Sequence, residues 1–403
     1  MKKFKLHWQI LTAFILAVLF GIFVPHGSVY TSWMGDIFLR GLKMVIIPLI
    51  LTSLISGITS IGNAGSLGRL GLKTITYYIA TSTFAIITGL FLVNIFKPGV
   101  GADLNLAKEI SGLNSANQSI KDTFINIIPT NIFHAFAEND MLATIFFAIL
   151  FGFFITQVSE KAKTFMTDFF NAAFEIMMKV TLFILKFAPF GIFGLVYKIV
   201  AAQDNLMELF QRMGIYMLVV IGALIIHAAG TLPLLLRFIG KVNPSKHFNA
   251  VTTPLITAFS TASSSATLPL TMVAVEENSG VSNKITSFTL PLGATVNMDG
   301  TALYEIVAAM FIAQAYGLHP TIIQQVIMVV TALLASIGAA GIPMAGMVMI
   351  SIVLSVMGLP LEAVGLILSV DPLLDMFRTS VNVWSDSCGA VIIAKSEGET
   401  LNV

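Results

Sequence analysis

Val370-Asp371-Pro372-Leu373-Leu374-Asp375-Met376-Phe377-Arg378-Thr379-Ser380-Val381-Asn382-Val383-Trp384-Ser385-Asp386 sets three carboxylates, a guanidinium, hydroxyls and a carboxamide into a stretch otherwise apolar enough to cross a membrane. If the stretch is helical, Asp371 and Asp375 stand four residues apart and Asp375 and Arg378 three, and Asn382 and Asp386 follow Arg378 at four-residue steps. One helical stripe then carries them all. An ionised side chain at mid-membrane costs roughly 2.5 to 3.5 kcal/mol on insertion scales. Such charges must be paired, hydrated or ligated, and by default they mark a site.

The rest of the chain supports the membrane reading. Of 403 residues, 56% are hydrophobic and 11% charged, and long apolar runs recur throughout. This is the composition of an all-α polytopic membrane protein. A formal net charge of +1 and the lack of a basic tail give no sign of nucleic-acid binding, so small solutes and lipid are the expected partners. Cys388 is the single cysteine, which excludes an intrachain disulfide and a cysteine metal cluster; it reads as a small core residue.

Lys2-Lys3-Phe4-Lys5 followed by the apolar run from Trp8 to Val24 resembles a secretory signal, but the run is too long and no small-residue cleavage pattern follows. It is read as the first span. Further spans are predicted at 37–61, 74–96, 140–158, 169–199 and 213–239. Basic residues gather at the N-terminus, at Arg69 and Lys73, at Lys161 and Lys163, and at Arg237, Lys241 and Lys246. These are alternate loops, which orients the N-terminus to the cytoplasm. The 97–123 loop is then external; its Asn117-Gln118-Ser119 matches a glycosylation acceptor that only a eukaryotic host would use.

Beyond residue 240 the apolar stretches are interrupted. Segment 243–279 is broken by Ser260-Thr261-Ala262-Ser263-Ser264-Ser265-Ala266-Thr267-Leu268-Pro269, and segment 319–357 by Gly338-Ala339-Ala340-Gly341-Ile342-Pro343-Met344-Ala345-Gly346. Both read as re-entrant helical hairpins. Between them a span over 284–315 is broken at Asn297-Met298-Asp299-Gly300-Thr301. Hairpin, broken helix, hairpin, broken helix reads as an inverted repeat, and paired interrupted segments point to a transporter's binding site. The competing reading is that the small residues only permit tight helix packing.

Ser263, Ser264 and Ser265 lie where a half-helix can begin, offering backbone N–H groups and hydroxyls to a carboxylate. Gly341 and Gly346 let the opposite tip close with its backbone donors exposed. Arg378 can hold a second carboxylate bidentately. Asp375 can either pair with Arg378 alone or, with Asp371 bracing Arg378, receive an ammonium. Two carboxylates and an ammonium describe glutamate or aspartate. Asp299, Asp371, Asp375 and Asp386 against Arg378 leave a formal −3, so an anionic guest requires co-bound cations. Asn297, Asp299, Asn382 and Asp386, with carbonyls freed at the breaks, suit sodium. Glu305 stands apart as a buried carboxyl without a cationic partner: a proton carrier, or a permanently neutral hydrogen-bonding acid.

At these residues the chain resembles the dicarboxylate/amino acid:cation symporter family. The resemblance covers essentially the whole length. It is most specific at the serine-rich tip ending Ala266-Thr267-Leu268-Pro269, at Asn297-Met298-Asp299-Gly300-Thr301, at Ala340-Gly341-Ile342-Pro343 and at Asp375…Arg378-Thr379…Asn382…Asp386. It implies eight transmembrane helices and two re-entrant hairpins, a homotrimer, and an elevator movement of a transport domain against a scaffold. The corresponding division is scaffold at 1–72, transport helix and loop at 73–123, scaffold at 124–212 and transport domain at 213–403. By motif position Ser264, Thr301, Asp375, Arg378, Thr379 and Asn382, with backbone at Ile342 and Gly346, would hold substrate. Sodium would be held by Asn297, Asn382, Asp386 and the Gly293 carbonyl at one site. A second would use Tyr78, Thr81, Ser82, Asn297 and Asp299, and a third backbone near Thr295, Met298, Ser336 and Ile337. Glu305 matches the family's proton-accepting position. No organic cofactor is implied.

The chain also departs from the family. Related transporters carry a second arginine where this chain has Ala262 or Met376, and Trp384-Ser385 replaces a smaller residue and a glycine before the last aspartate. Among other readings, a C4-dicarboxylate symporter has no use for Asp375, and neutral amino acid exchange would leave Arg378 buried and unpaired. An intramembrane hydrolase lacks its nucleophile motifs, and the histidines His7, His26, His134, His227, His247 and His319 are expected to lie outside the polar cluster. A pure ion channel needs no ammonium acceptor. Glutamate and aspartate are not distinguished, since one methylene is worth only about 1 to 3 kcal/mol in a pocket.

Overall fold

A computed structural model describes residues 6–62, 68–102, 128–138, 140–201, 206–337 and 345–403. Among the described residues helices dominate and no strand occurs. That follows from the composition: where water is scarce, only a helix satisfies every backbone N–H and C=O within its own segment.

Helices α1 (Leu6–Phe23), α2 (Ser32–Gly62), α3 (Gly68–Phe96), α4 (Ile132–Ala137), α5 (Met141–Ile155), α6 (Glu160–Leu185) and α7 (Ala188–Ala201) form the first half. Helices α8 (Leu206–Ile226) and α9 (Leu232–Phe238) are joined by a π turn at His227–Thr231. Next come α10 (Pro244–Ala250), α11 (Thr252–Thr261), α12 (Ser264–Val273), α13 (Asn283–Val296), α14 (Asp299–Ala315), α15 (Ile322–Ile337), α16 (Ala345–Val356) and α17 (Val364–Ser396). Ser32–Thr59, Arg69–Phe96, Phe210–Phe238 and Asn283–Ala315 are each long and apolar enough to cross a membrane.

Two packing groups emerge. Helices α1, α2, α5, α6 and α7 contact one another, while α3, α8, α15, α16 and α17 surround α14, all seventeen residues of which are buried, and α11, α12 and α13 pack on α17. The groups meet where α17 crosses α7 and where α16 touches α2 and α5.

The 243–279 interruption has a local cause. Ala262 adopts a left-handed conformation (φ 48°, ψ 39°) that ends α11, and Ser263 caps α12 by accepting from the Ala266 N–H at 3.2 Å. Helices α11 and α12 pack against each other, as do α15 and α16. The tip joining the latter pair, with Gly341 and Ile342, lies outside the described residues, as does most of the 97–123 loop with Asn117-Gln118-Ser119.

Two expectations change. The span at 169–199 is a bent pair, α6 and α7 meeting at 52°. The final charged segment is not a broken helix: α17 runs through Pro372 for 33 residues. Proline at 372 withdraws only one donor from the ladder, and α11, α13 and α14 pack along α17. Thus only one of the two long inner helices is interrupted, at Asn297-Met298 between α13 and α14.

Candidate functional site

The continuous α17 does align its polar stripe. Arg378 is fully buried; its Nη2 lies 2.7 Å from Asp375 Oδ1 and its Nη1 2.9 Å from Asp371 Oδ1. The Asp375 contact is a hydrogen bond, whereas the Asp371 contact is a charge contact without hydrogen-bond alignment. The guanidinium carbon stands 3.9 Å from the centroid of the Tyr304 ring, a cation–π stack. Gly346 also closes on the guanidinium, where a Cβ would stand 2.7 Å from Nη1 and force the buried arginine to shift.

One turn further, Asn382 joins α17 to the first turn of α14. Its Oδ1 accepts from the Gly300 N–H at 2.8 Å, and its Nδ2 donates to Thr301 Oγ1 at 3.2 Å. Thr301, Asp375, Thr379 and Asn382 are all buried. The α11–α12 hairpin packs on the same helix: Ser380 Oγ donates to Leu255 O at 3.0 Å, and the Phe259 and Phe377 rings meet edge-on at 5.1 Å. Ser263 and Ser264 are buried at its tip, whereas Ser265 is exposed.

A second polar cluster lies deeper. Asp299 accepts from Ser82 Oγ at 2.6 Å and from Ser385 Oγ at 2.6 Å, and its Oδ2 is 3.0 Å from His227 Nε2. Asn297 donates to Asp386 Oδ1 at 2.9 Å and to Ser385 Oγ at 3.0 Å, and accepts from Thr81 Oγ1 at 3.3 Å. Tyr78 donates to Thr289 O at 2.7 Å. A Cβ on Gly293 would stand 2.8 Å from the Tyr78 hydroxyl and within contact of Asp386. Tyr78, Thr81, Ser82, Gly293, Asn297, Asp299 and Asp386 are thereby brought together, rich in oxygen and closed to water, as a hard cation requires.

Other candidates are less tightly tied in. Thr295 is exposed and its hydroxyl turns back to Leu292 O at 3.0 Å. The Met298 carbonyl accepts from the Ala302 N–H at 2.8 Å, opening α14. Ser336 is buried near the end of α15, its hydroxyl donating to Leu333 O at 2.8 Å, and Ile337 is the last residue of that helix. Glu305 is fully buried, and among the described residues neither of its carboxyl oxygens has a hydrogen-bond partner.

The histidine expectation is corrected. His227, the first residue of the π turn, is buried and contacts Asp299 directly, its Nε2 3.0 Å from Oδ2. His247 bridges Ser279 and Ser387 at 3.0 and 3.2 Å and stacks on Trp384 with ring centroids 5.3 Å apart. The rule that made Asp371 conspicuous, a polar group inside an apolar span, also singles out His227.

Comparison with known proteins places the chain by sequence. The profile described as the sodium:dicarboxylate symporter family matches residues 6–396. The chain is 37% identical to the proton/sodium-glutamate symport protein of Geobacillus stearothermophilus, covering 99% of this chain and 96% of that one. It is 37% identical to excitatory amino acid transporter 3 of Mus musculus, over 96% of this chain and 85% of the relative. It is 34% identical to the proton/glutamate-aspartate symporter of Escherichia coli K12, over 98% and 93%. With a family profile matching residues 6–396 and relatives 34 to 37% identical over nearly the whole length, the chain belongs to the sodium:dicarboxylate symporter family.

Proposed function

We propose that this membrane-embedded protein is a secondary active transporter importing acidic amino acids, glutamate or aspartate, driven by sodium and coupled to protons. The observation that carries the reading is Arg378, fully buried and matched by two carboxylates, Asp371 and Asp375, rather than one. A substrate carboxylate can take the guanidinium while Asp375 turns to the ammonium, and Asp371 keeps the arginine compensated. The buried Asp299–Asn297–Asp386 cluster supplies the oxygen ligands for sodium. Ser264, Thr301, Thr379, Asn382 and backbone at Ile342 and Gly346 complete the substrate site, with Ser263 and Ser265 flanking it.

Glu305, buried and without a hydrogen-bond partner among the described residues, is the proton carrier. An ionised carboxylate at that position would forfeit its hydration with nothing in return, so it moves as the neutral acid. The working assembly is a homotrimer in the plasma membrane with both termini cytoplasmic, built from eight spans and two hairpins. The group around α14, with residues 213–403 and α3, slides as an elevator against the group built on α1, α2 and α5–α7. The partition of packing between these groups and the small crossing surface at α16 and α17 support this division.

Radiolabelled aspartate and succinate uptake into proteoliposomes, with and without an inward sodium gradient at two external pH values, tests the reading. Sodium-driven aspartate uptake that succinate does not match is expected. Succinate uptake without aspartate would move the protein to C4-dicarboxylate transport.

A further inference from the structure

Asp299 is held by more donors than the expected sodium ligands account for. Ser82 Oγ donates to Oδ1 at 2.6 Å; Oδ2 takes Ser385 Oγ at 2.6 Å and His227 Nε2 at 3.0 Å. All four side chains are buried. A carboxylate only accepts, so His227 donates to it from Nε2. Its Nδ1 has no partner among the described residues.

Ser385 does a second thing. Its oxygen accepts from Asn297 Nδ2 at 3.0 Å, and the same amide nitrogen donates to Asp386 Oδ1 at 2.9 Å. A hydroxyl has one proton and two lone pairs. The proton goes to Asp299 and one lone pair to Asn297, so a single atom fixes the side-chain angles of both. Its neighbour Trp384 steadies the other side of the cage. The π turn at His227–Thr231 is met by an indole hydrogen bond, Trp384 Nε1 donating to Ala228 O at 3.0 Å, which holds His227 against Asp299.

We infer that Ser385 is a positioning residue for the transported cation. It locks Asn297 and Asp299 into one rigid pair of oxygen ligands, and with His227 and Trp384 it sets sodium affinity independently of amino acid affinity. The glycine expected at 385 from the family resemblance could do neither, having no side chain. The inference rests on the sodium-coupled reading above. It goes beyond that reading by assigning ion affinity to residues outside the expected ligand sets.

The test is isothermal titration of aspartate into the purified full-length protein over a range of sodium concentrations at constant ionic strength. Wild type is compared with Ser385→Ala, Ser385→Gly, Ser385→Thr and His227→Leu. Loss of a group that orients a metal ligand costs roughly 10- to 100-fold in metal affinity. The half-saturating sodium concentration should therefore rise at least tenfold in Ser385→Ala, Ser385→Gly and His227→Leu. Aspartate affinity at saturating sodium should stay within about twofold, and Ser385→Thr, which keeps the hydroxyl, should recover most of the loss.

A sodium requirement unchanged in folded Ser385→Ala or Ser385→Gly overturns the inference while leaving the transport reading intact. So does an equal fall in sodium and aspartate affinity, which would mark Ser385 as a packing residue. Wild-type aspartate binding that ignores sodium overturns the transport reading, and this inference with it. Glycine at 385 is the residue of the family pattern, so a fold failure in Ser385→Ala leaves Ser385→Gly to decide.

Discussion

Asp375 approaches Arg378 from one turn away on the same helix, its Oδ1 2.7 Å from Nη2, although Asp371 already lies 2.9 Å from Nη1. One carboxylate is enough to neutralise a guanidinium. The second is in position to be released to a guest, which makes its charge separable from its shape. Asp375→Asn should lower aspartate uptake about 30- to 100-fold, the scale of a charged hydrogen bond of roughly 2 to 3 kcal/mol. Succinate should inhibit the residual uptake as well as before or better. Uptake and inhibition assays in proteoliposomes check both, and equal loss for the two ligands would contradict an ammonium contact.

Arg378→Lys keeps the charge but loses the planar fork and the face that stacks on Tyr304 at 3.9 Å. The expected outcome is a rise in the aspartate KM of tenfold or more with the protein still folded, because Asp371 and Asp375 retain a cation. Arg378→Ala removes that cation from two buried carboxylates and should destabilise by about 3 to 5 kcal/mol. Melting of the two purified variants separates affinity loss from unfolding.

Glu305→Gln should abolish the dependence of uptake on external pH while sodium dependence persists. The amide mimics the neutral acid in size and hydrogen-bonding capacity but carries no proton. Uptake between pH 5.5 and 8, measured at fixed sodium, gives the answer. A variant whose pH profile overlays wild type would remove Glu305 from proton coupling.

The helical stripe from Asp371 to Asp386 was legible because spacing alone puts those residues on one face. The serine tip was legible because serine is the residue that caps a helix start, and Ser263 does so. The break expected in the final charged segment is absent: α17 continues through Pro372 for 33 residues, since a proline removes only one N–H donor from the ladder. The bend between α6 and α7 falls at Lys186-Phe187, and Lys186 and Pro189 were its signals, masked because the apolar run reads through them as one span. His227 was missed because its partner lies 72 residues away, a pairing that only the packing of the helices creates.

At the other end of α17, Glu397 accepts from Lys73 Nζ at 2.5 Å and from Arg69 Nη2 at 2.6 Å, both at the start of α3. These bonds hold the Glu397 carboxyl below its usual pKa, Lys73 contributing most. The native carboxylate thus binds its proton less readily than the unfolded one. Stability from this contact is complete above the ordinary glutamate value of about 4.3 and disappears as pH falls through the lower native value. Glu397→Gln should melt earlier than wild type at pH 7, and the gap should close near pH 3. It should also shrink in high salt, since Arg69 is largely exposed.

Tyr304 stacks on Arg378, Gly346 closes on its Nη1, and its two terminal nitrogens face Asp371 and Asp375. On the proposed reading, loading is then an ion swap rather than an addition: an incoming carboxylate would displace an internal one, which must itself find a cation. A zwitterion would bring both halves of the exchange in one molecule. A simple dianion would bring only the first half and strand an aspartate, so the site's own side chains would rehearse the charge pattern of the guest it selects.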